Sequence, residues 1–215
     1  MSATLVLASH NAHKLTELRR ILGPLIPGVE LIGYDGPEPI ENGLSFAENA
    51  LLKARAAAAH TGLPAIADDS GIAVHVLGGC PGIFSARWGG PARSDRANVD
   101  LLLWQLTDVG DDHRDAGFVC AAALVLPGDP ASEQGGADGL NGAEEASLEV
   151  CKLGVWPGRV LREPRGAEGF GYDPVFQPEH EERSAAELSA AEKDALSHRT
   201  RAFSALAPEI LARLT

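Results

Sequence analysis

The chain has 215 residues, 45% hydrophobic and 22% charged. That is an ordinary globular composition, long enough for one large domain or two lobes sharing a sheet, with a core that needs no covalent staples. Its formal net charge of −12 repels nucleic-acid backbones and argues against a nucleic-acid partner, so an anionic ligand must be held by a few placed cations, backbone N–H groups or a metal. Cys80, Cys120 and Cys151 are odd in number and lack metal-ligand spacing, which fits reduced thiols in a cytosolic protein. The first apolar run is too short for a signal-peptide core and no segment approaches bilayer-spanning length. A cytoplasmic protein with no membrane partner is expected.

In chain order, "TLVLAS" (4–9) reads as a buried strand. "NAHKLTELRRIL" follows as a helix with Leu15, Leu18, Ile21 and Leu22 on one face, stopped by Gly23 and Pro24. "VELIGY" (29–34) is a second strand. "SFAENALLKARAAAAHTG" is a strong helix, with Ser45 and Glu48 at capping-box spacing and Gly62 and Pro64 at its end. The strand-like pieces "PAIAD" and "IAVHVL" come next, then the loop "GGCPGIFSARWGGPA" and a helix from about Ser94 carrying Val99, Leu102, Leu103 and Leu106. "GFVCAAALVLP" is a long strand. The Gly- and acid-rich stretch 128–147 reads as a flexible surface loop, because strand patterns resume at "LEVCKLGVW" and again at "GRVLRE". After "GFGYDPVF" come helical stretches from Ser184 and Ser189 and a last helix near "SHRTRAFSAL". The order implies an α/β fold on a mixed central sheet.

Five places on this frame could carry chemistry. In "ASHNAHK", a strand runs into a helix start bearing Ser9, Asn11 and Lys14, suited to phosphate; the alternative is an ordinary helix cap. The P-loop spacing is absent. "ENG" places Glu41 before a turn glycine. In "IADDSGIAV" (66–74), the adjacent carboxylates Asp68 and Asp69 sit in an apolar run. They either point to opposite faces of a strand or sit where it breaks, and they need compensation by N–H groups or a cation such as Mg²⁺; an Asx-turn in a hairpin is the structural alternative. In "EGFGYDPVF", glycines flank Phe170, and Phe170 or Tyr172 could stack on a base or simply fill a core turn. In "EKDALSHRTRA", Ser197 caps a helix whose first turn holds His198 and Arg199. Positive charge at that end opposes the helix dipole and suggests an anionic or carbonyl-bearing partner, unless the pair is a solvated face.

"LASHNAHKLTEL", "ENGLSFAENALLKARAAA", "LPAIADDSGIAVHVLGGCPGIFSARW", "GFGYDPVF" and "AELSAAEKDALSHRTRA" stand in the order seen in the inosine-triphosphate pyrophosphatases. The chain resembles that family over residues 4–206, on a combination of motifs far more specific than any one alone. The resemblance implies an elongated two-lobed α/β molecule around a mixed sheet, one ITPase-like domain over residues 1–215, and a homodimer. It also implies Mg²⁺-dependent cleavage of ITP, dITP and XTP to the monophosphate and pyrophosphate. It gives Asp69 the roles of general base and metal ligand, and Glu41 that of second metal-binding acid. Ser9, His10, Ala12, His13 and Ser70, with Asn11 and Lys14, match substrate-contacting positions. So do Phe170, Gly171, Tyr172, Asp173, Lys193, His198 and Arg199. His10 stands where the family carries glycine. Two alternatives are a Maf-type nucleotide pyrophosphatase of the same fold and a non-catalytic nucleotide-binding regulator.

Overall fold

The computed structural model describes residues 3–10, 12–128 and 148–215, the side chains of Ala12 and His13 excepted. Asn11 and residues 129–147 of the expected surface loop therefore lie outside the described residues. Six strands form one sheet: β1 (Ala3–Leu7), β2 (Val29–Gly33), β3 (Ala65–Val74), β4 (Asp115–Val125), β5 (Glu149–Val160) and β6 (Phe176–Pro178), in the order β2-β1-β3-β4-β5-β6. β1 runs parallel to β2 and β3, whereas β3 to β6 are antiparallel. The mixed α/β class expected from the sequence is the one found.

One face of the sheet is covered by α1 (Ala12–Leu22) and α5 (His198–Leu214). Leu18, Ile21 and Leu22 of α1 and Ala202, Phe203, Leu206 and Ile210 of α5 pack on Leu5, Leu7, Ile66, Ala122 and Leu124. The opposite face carries α2 (Phe46–Thr61). Its Ala50, Ala54, Ala57 and Ala58 meet Ala65, Ala67, Ala121 and Ala123, so small side chains on both partners bring the helix axis close to the sheet. Ser45 caps α2 by accepting from the Glu48 amide, while the Glu48 carboxylate reaches back to Leu44 N; Gly62 ends it in the left-handed region. At the far end of the sheet, α3 (Asp95–Gln105) adds Val99 and Leu102 to a cluster with Ile72, Phe118, Trp156 and Phe176. The short α4 (Ala190–Leu196) leads into α5.

Three elements differ from the sequence expectation. β3 is a single ten-residue strand, paired residue by residue from Ala65 opposite Val125 to Val74 opposite Ala116, straight through the two aspartates. β5 is likewise continuous through Pro157. The Pro157 carbonyl accepts from Glu179 N. The N–H that proline lacks would have pointed to that same side, away from the β4 ladder. β6 is only three residues long and pairs with Gly158 to Val160, too short to show any periodicity.

α5 approaches β5 most closely at Gly154. A methyl group there would lie 2.1 Å from the carbonyl oxygen of His198 and 2.5 Å from the nitrogen of Ala202, both helix backbone. Gly154→Ala should therefore push α5 outward and cost roughly 1–3 kcal/mol by overpacking. Urea unfolding with an unchanged m-value would check it.

Candidate active site

Because β3 continues unbroken, Asp68 and Asp69 project to opposite faces of the sheet, and each meets a different set of cations. Asp68 enters the face under α1 and α5. Its side chain is fully buried, with Lys14 Nζ at 2.5 Å and Arg199 Nε at 3.4 Å, and it accepts a hydrogen bond from Ser70 Oγ at 2.9 Å. Burial alone would push this carboxyl up; the charges of Lys14 and Arg199 outweigh that and hold it well below the usual carboxylate range. The Cys120 thiol lies 3.9 Å away and is pushed up to about 12 by burial and the Asp68 charge. Arg199 also donates to both oxygens of Glu17, at 2.9 and 3.1 Å. Glu17 and Asp68 keep its guanidinium firmly charged against the opposing effect of burial. Strand β3, helix α1 and helix α5 thus meet in one buried ionic network.

Asp69 enters the other face, beneath α2. Lys53 Nζ lies 2.9 Å from its Oδ1, and Asn49 Nδ2 donates to Oδ2 at 3.4 Å. The same Lys53 Nζ is 2.9 Å from Glu41 Oε1. Asp69 and Glu41 therefore converge on one ammonium group. The Asp69 carboxyl is raised, by burial first and by the Glu41 charge, in spite of Lys53. Lys53 in turn is held protonated by Asp69 and Asp68 against burial.

This convergence lies in a cleft of about 610 Å³ whose lining includes Ser9, His10, Glu38, Glu41, Lys53, Asp69, Arg87 and Arg93. His10 closes one rim. Its Nε2 lies 2.8 Å from the Gly36 carbonyl, its Nδ1 lies 3.1 Å from Glu38, and its ring stacks on Tyr34. Gly36 is required there, because a methyl group would sit 2.5 Å from the Tyr34 ring and 2.7 Å from His60.

A second group of candidate residues surrounds the 170–173 turn. The Asp173 carboxylate accepts from Phe170 N at 2.9 Å and forms an ion pair with Lys193, whose ammonium lies over the Phe170 ring at 5.1 Å. Gly171 N donates to Asp95. Phe170 is 62% exposed, whereas Tyr172 is buried with its hydroxyl donating to Ser85 O. Of the two aromatics left open by the sequence, only Phe170 presents its ring to solvent. His198 is buried and stacks on Phe118 at 4.9 Å. Burial first, then the Arg199 and Lys193 charges, keep its imidazole neutral well below the ordinary range. Its Nδ1 is buried without a hydrogen-bond partner among the described residues, an unmet polar atom beside the Lys193–Asp173 pair's helix.

Comparison with known proteins shows the family. The Ham1 family model matches residues 5–209. The chain belongs to the Ham1 family. It is 49% identical over 207 residues to a dITP/XTP pyrophosphatase of Leifsonia xyli, covering 96% of this chain and 95% of that protein. It is 52% identical over 210 residues to one of Streptomyces avermitilis, covering 96% of each. Among solved structures, a HAM1 protein from Coxiella burnetii superposes with a TM-score of 0.81 at 38% identity, covering 98% of this chain and 99% of that one. A nucleoside-triphosphatase / dITP/XTP pyrophosphatase from Mycobacterium abscessus gives 0.73 at 45% identity, covering 95% and 99%.

Within this Ham1 chain the residues singled out from sequence fall into three places. Ser9, His10, Glu41 and Asp69 line the cleft. Lys14, Ser70 and Arg199 gather on Asp68, on the opposite face of the sheet from Asp69. Phe170, Asp173 and Lys193 form the separate turn described above. The basic start of α5, which suggested an outside anion, has internal ones in Asp68 and Glu17. Lys53, Asn49 and Glu17 went unread in the sequence. Asn49 and Lys53 are one helical turn apart on the alanine face of α2. Polar residues on the buried stripe of an alanine-rich helix were the available signal.

The two aspartates should respond oppositely to neutralisation. Asp68→Asn leaves the buried Arg199 and the half-buried Lys14 short of a counter-charge and should cost about 3 kcal/mol at pH 7. Because the folded carboxyl titrates below the unfolded one, its contribution is full above the ordinary carboxylate range and is lost as pH falls through the lowered folded value. The gap between wild type and variant should therefore shrink in urea titrations carried down from pH 5. Asp69, whose charge burial disfavours, should tolerate Asn with no loss of stability.

Proposed function

We propose that this protein hydrolyses non-standard purine nucleoside triphosphates, ITP, dITP and XTP, to the monophosphate and pyrophosphate, with Mg²⁺ as cofactor. The observation that carries the reading is the convergence of Asp69 and Glu41 on Lys53 in the lining of the cleft. The names of the relatives support the substrate class.

The donor set fits Mg²⁺. Glu41 and Asp69 offer hard carboxylate oxygens and already share a cationic partner, and no group of three or more His, Cys, Asp or Glu side chains converges among the described residues. Two carboxylates with the rest of the shell left to water and phosphate is the usual arrangement for this ion. Glu41 and Asp69 would hold it, and when bound it neutralises charge on the phosphate oxygens.

The remaining steps belong to the chain. Asp69, its carboxyl raised by burial, accepts the proton of the attacking water. The water oxygen bonds to the α-phosphorus as the bond from that phosphorus to the bridging oxygen of pyrophosphate breaks, and the bond's electron pair leaves with pyrophosphate. Lys53, between the two acids, lines the cleft with an ammonium that can meet phosphate oxygens, and Ser9 and His10 border the same space. Phe170 offers an exposed ring on which any purine can stack, so it gives affinity without choice. The reading extends to a cytoplasmic homodimer on the resemblance to the inosine-triphosphate pyrophosphatases.

Incubation with ITP or XTP and Mg²⁺ should release pyrophosphate with little orthophosphate, and chelation should stop it. Asp69→Asn should lower turnover at least ~10²-fold with an unchanged circular dichroism spectrum. Orthophosphate released stepwise through the diphosphate would refute the reaction, and nucleotide binding without any turnover would favour a regulator.

A further inference from the structure

Positive charge is scarce in this chain, and nearly all of it is internally engaged. Lys14, Lys53, Lys152 and Lys193 are all in ion pairs. Every arginine except Arg87, Arg93 and Arg165 has a guanidinium hydrogen bond to a carboxylate or carbonyl among the described residues. Two of those three, Arg87 and Arg93, line the same cleft as Asp69 and Lys53. In a protein with a formal charge of −12, an exposed guanidinium ordinarily finds a carboxylate. Two left without one in a single cleft are poised for an anion from outside.

Their mounting is rigid. The 3₁₀ turn Gly82–Arg87 is fixed to β3 through Ser85, whose hydroxyl accepts from Ile72 N at 3.0 Å and donates to Gly82 O at 2.6 Å. β3 and the turn touch so closely at Gly71 that a methyl group there would lie 2.4 Å from Ser85 Oγ and 2.5 Å from Gly82 O. The segment after the turn is held to α3, where Gly89 N donates to Asn98 Oδ1 at 2.6 Å. The Arg87 guanidinium lies over the Phe84 ring at 5.2 Å. Arg93 adopts a left-handed backbone, φ 49°, a conformation that a non-glycine residue rarely takes without a tertiary reason. Arg87 is thus carried by the strand that carries Asp69, and Arg93 follows on the segment held to α3.

We propose that Arg87 and Arg93 bind the β- and γ-phosphates of the substrate, the part that leaves as pyrophosphate. This rests on the reading of the cleft as a triphosphate site and extends it to two arginines that were not among the residues singled out from sequence. The carboxylates of Glu38, Glu41 and Asp69 line the same cleft. A polyphosphate entering a cleft that carries those acids needs fixed positive charge there, and planar guanidinium forks suit non-bridging phosphate oxygens.

The test uses the full chain with Mg²⁺ and inorganic pyrophosphate as probe, read by calorimetry. Arg87→Gln and Arg93→Gln should each weaken pyrophosphate binding about tenfold, the loss expected for one charge-assisted contact. Inosine monophosphate, which lacks those phosphates, should bind as before. Lysine at either position should recover part of the loss, since it keeps the charge without the fork. Arg96→Gln, which breaks an exposed pair with Asp100 outside the cleft, should change nothing. Pyrophosphate affinity unchanged in both glutamine variants overturns the proposal, as does an equal loss for inosine monophosphate or no saturable pyrophosphate binding by the unaltered protein. Failure of the hydrolytic reading is seen separately, as absence of pyrophosphate release from ITP.

Discussion

The buried carboxylate of Asp68 is the constraint on which the rest of this molecule depends. An ionised group wholly out of water is costly unless cations and donors replace its hydration. Here the replacements come from three elements distant in sequence: Lys14 on α1, Arg199 on α5 and Ser70 on β3 itself. Satisfying one carboxylate therefore fixes where two helices cross the sheet. Glu17 extends the network by taking the other side of Arg199, so that α1 and α5 are joined directly as well as through the strand.

Asp69 depends on that arrangement. It is the next residue on the strand, so locking Asp68 into the α1/α5 face turns Asp69 toward α2. There burial and Glu41 raise its carboxyl while Lys53 keeps it in place. Two neighbouring aspartates with the same intrinsic acidity are driven in opposite directions by the cations each face supplies, one held as a permanent charge and the other left able to take a proton. Such a separation is what the acid–base role proposed for Asp69 calls for. The close alanine packing of α2 serves the same end, because it brings Asn49 and Lys53 within reach of the strand.

The segment after β3 adds Arg87 and Arg93 to the lining of the cleft. Ser85 and the contact at Gly71 clamp the Gly82–Arg87 turn to the strand, and Tyr172 donates to the carbonyl of the same Ser85. One serine in the far-end cluster therefore ties the cleft wall to the turn that displays Phe170. The 170–173 turn and the cleft are separate features of the surface, yet both are referenced to β3, and a ligand spanning them would meet a single rigid frame.

Much of this was written in the chain itself. The helix caps at Ser45, Ser94, Ser189 and Ser197, the glycine stop at Gly62 and the α/β order all follow from local rules, because capping and backbone preference act over a few residues. The motif set identified the family, and it placed Asp69 and Glu41 together before any coordinates did. The sequence could not show that β3 runs unbroken through its aspartates, since polar residues interrupt the apolar pattern and only pairing with β4 and cations from other elements make the strand tolerable. Nor could it show that Tyr172 is core and Phe170 surface, or that the basic start of α5 answers to Asp68 and Glu17. Nor did it show that Arg87 and Arg93, whose guanidinium groups have no carboxylate or carbonyl partner among the described residues, line the same cleft as Asp69. Those facts depend on which residues far apart in the chain come within a few ångströms of each other, and tertiary packing sets that distance where local propensity does not reach.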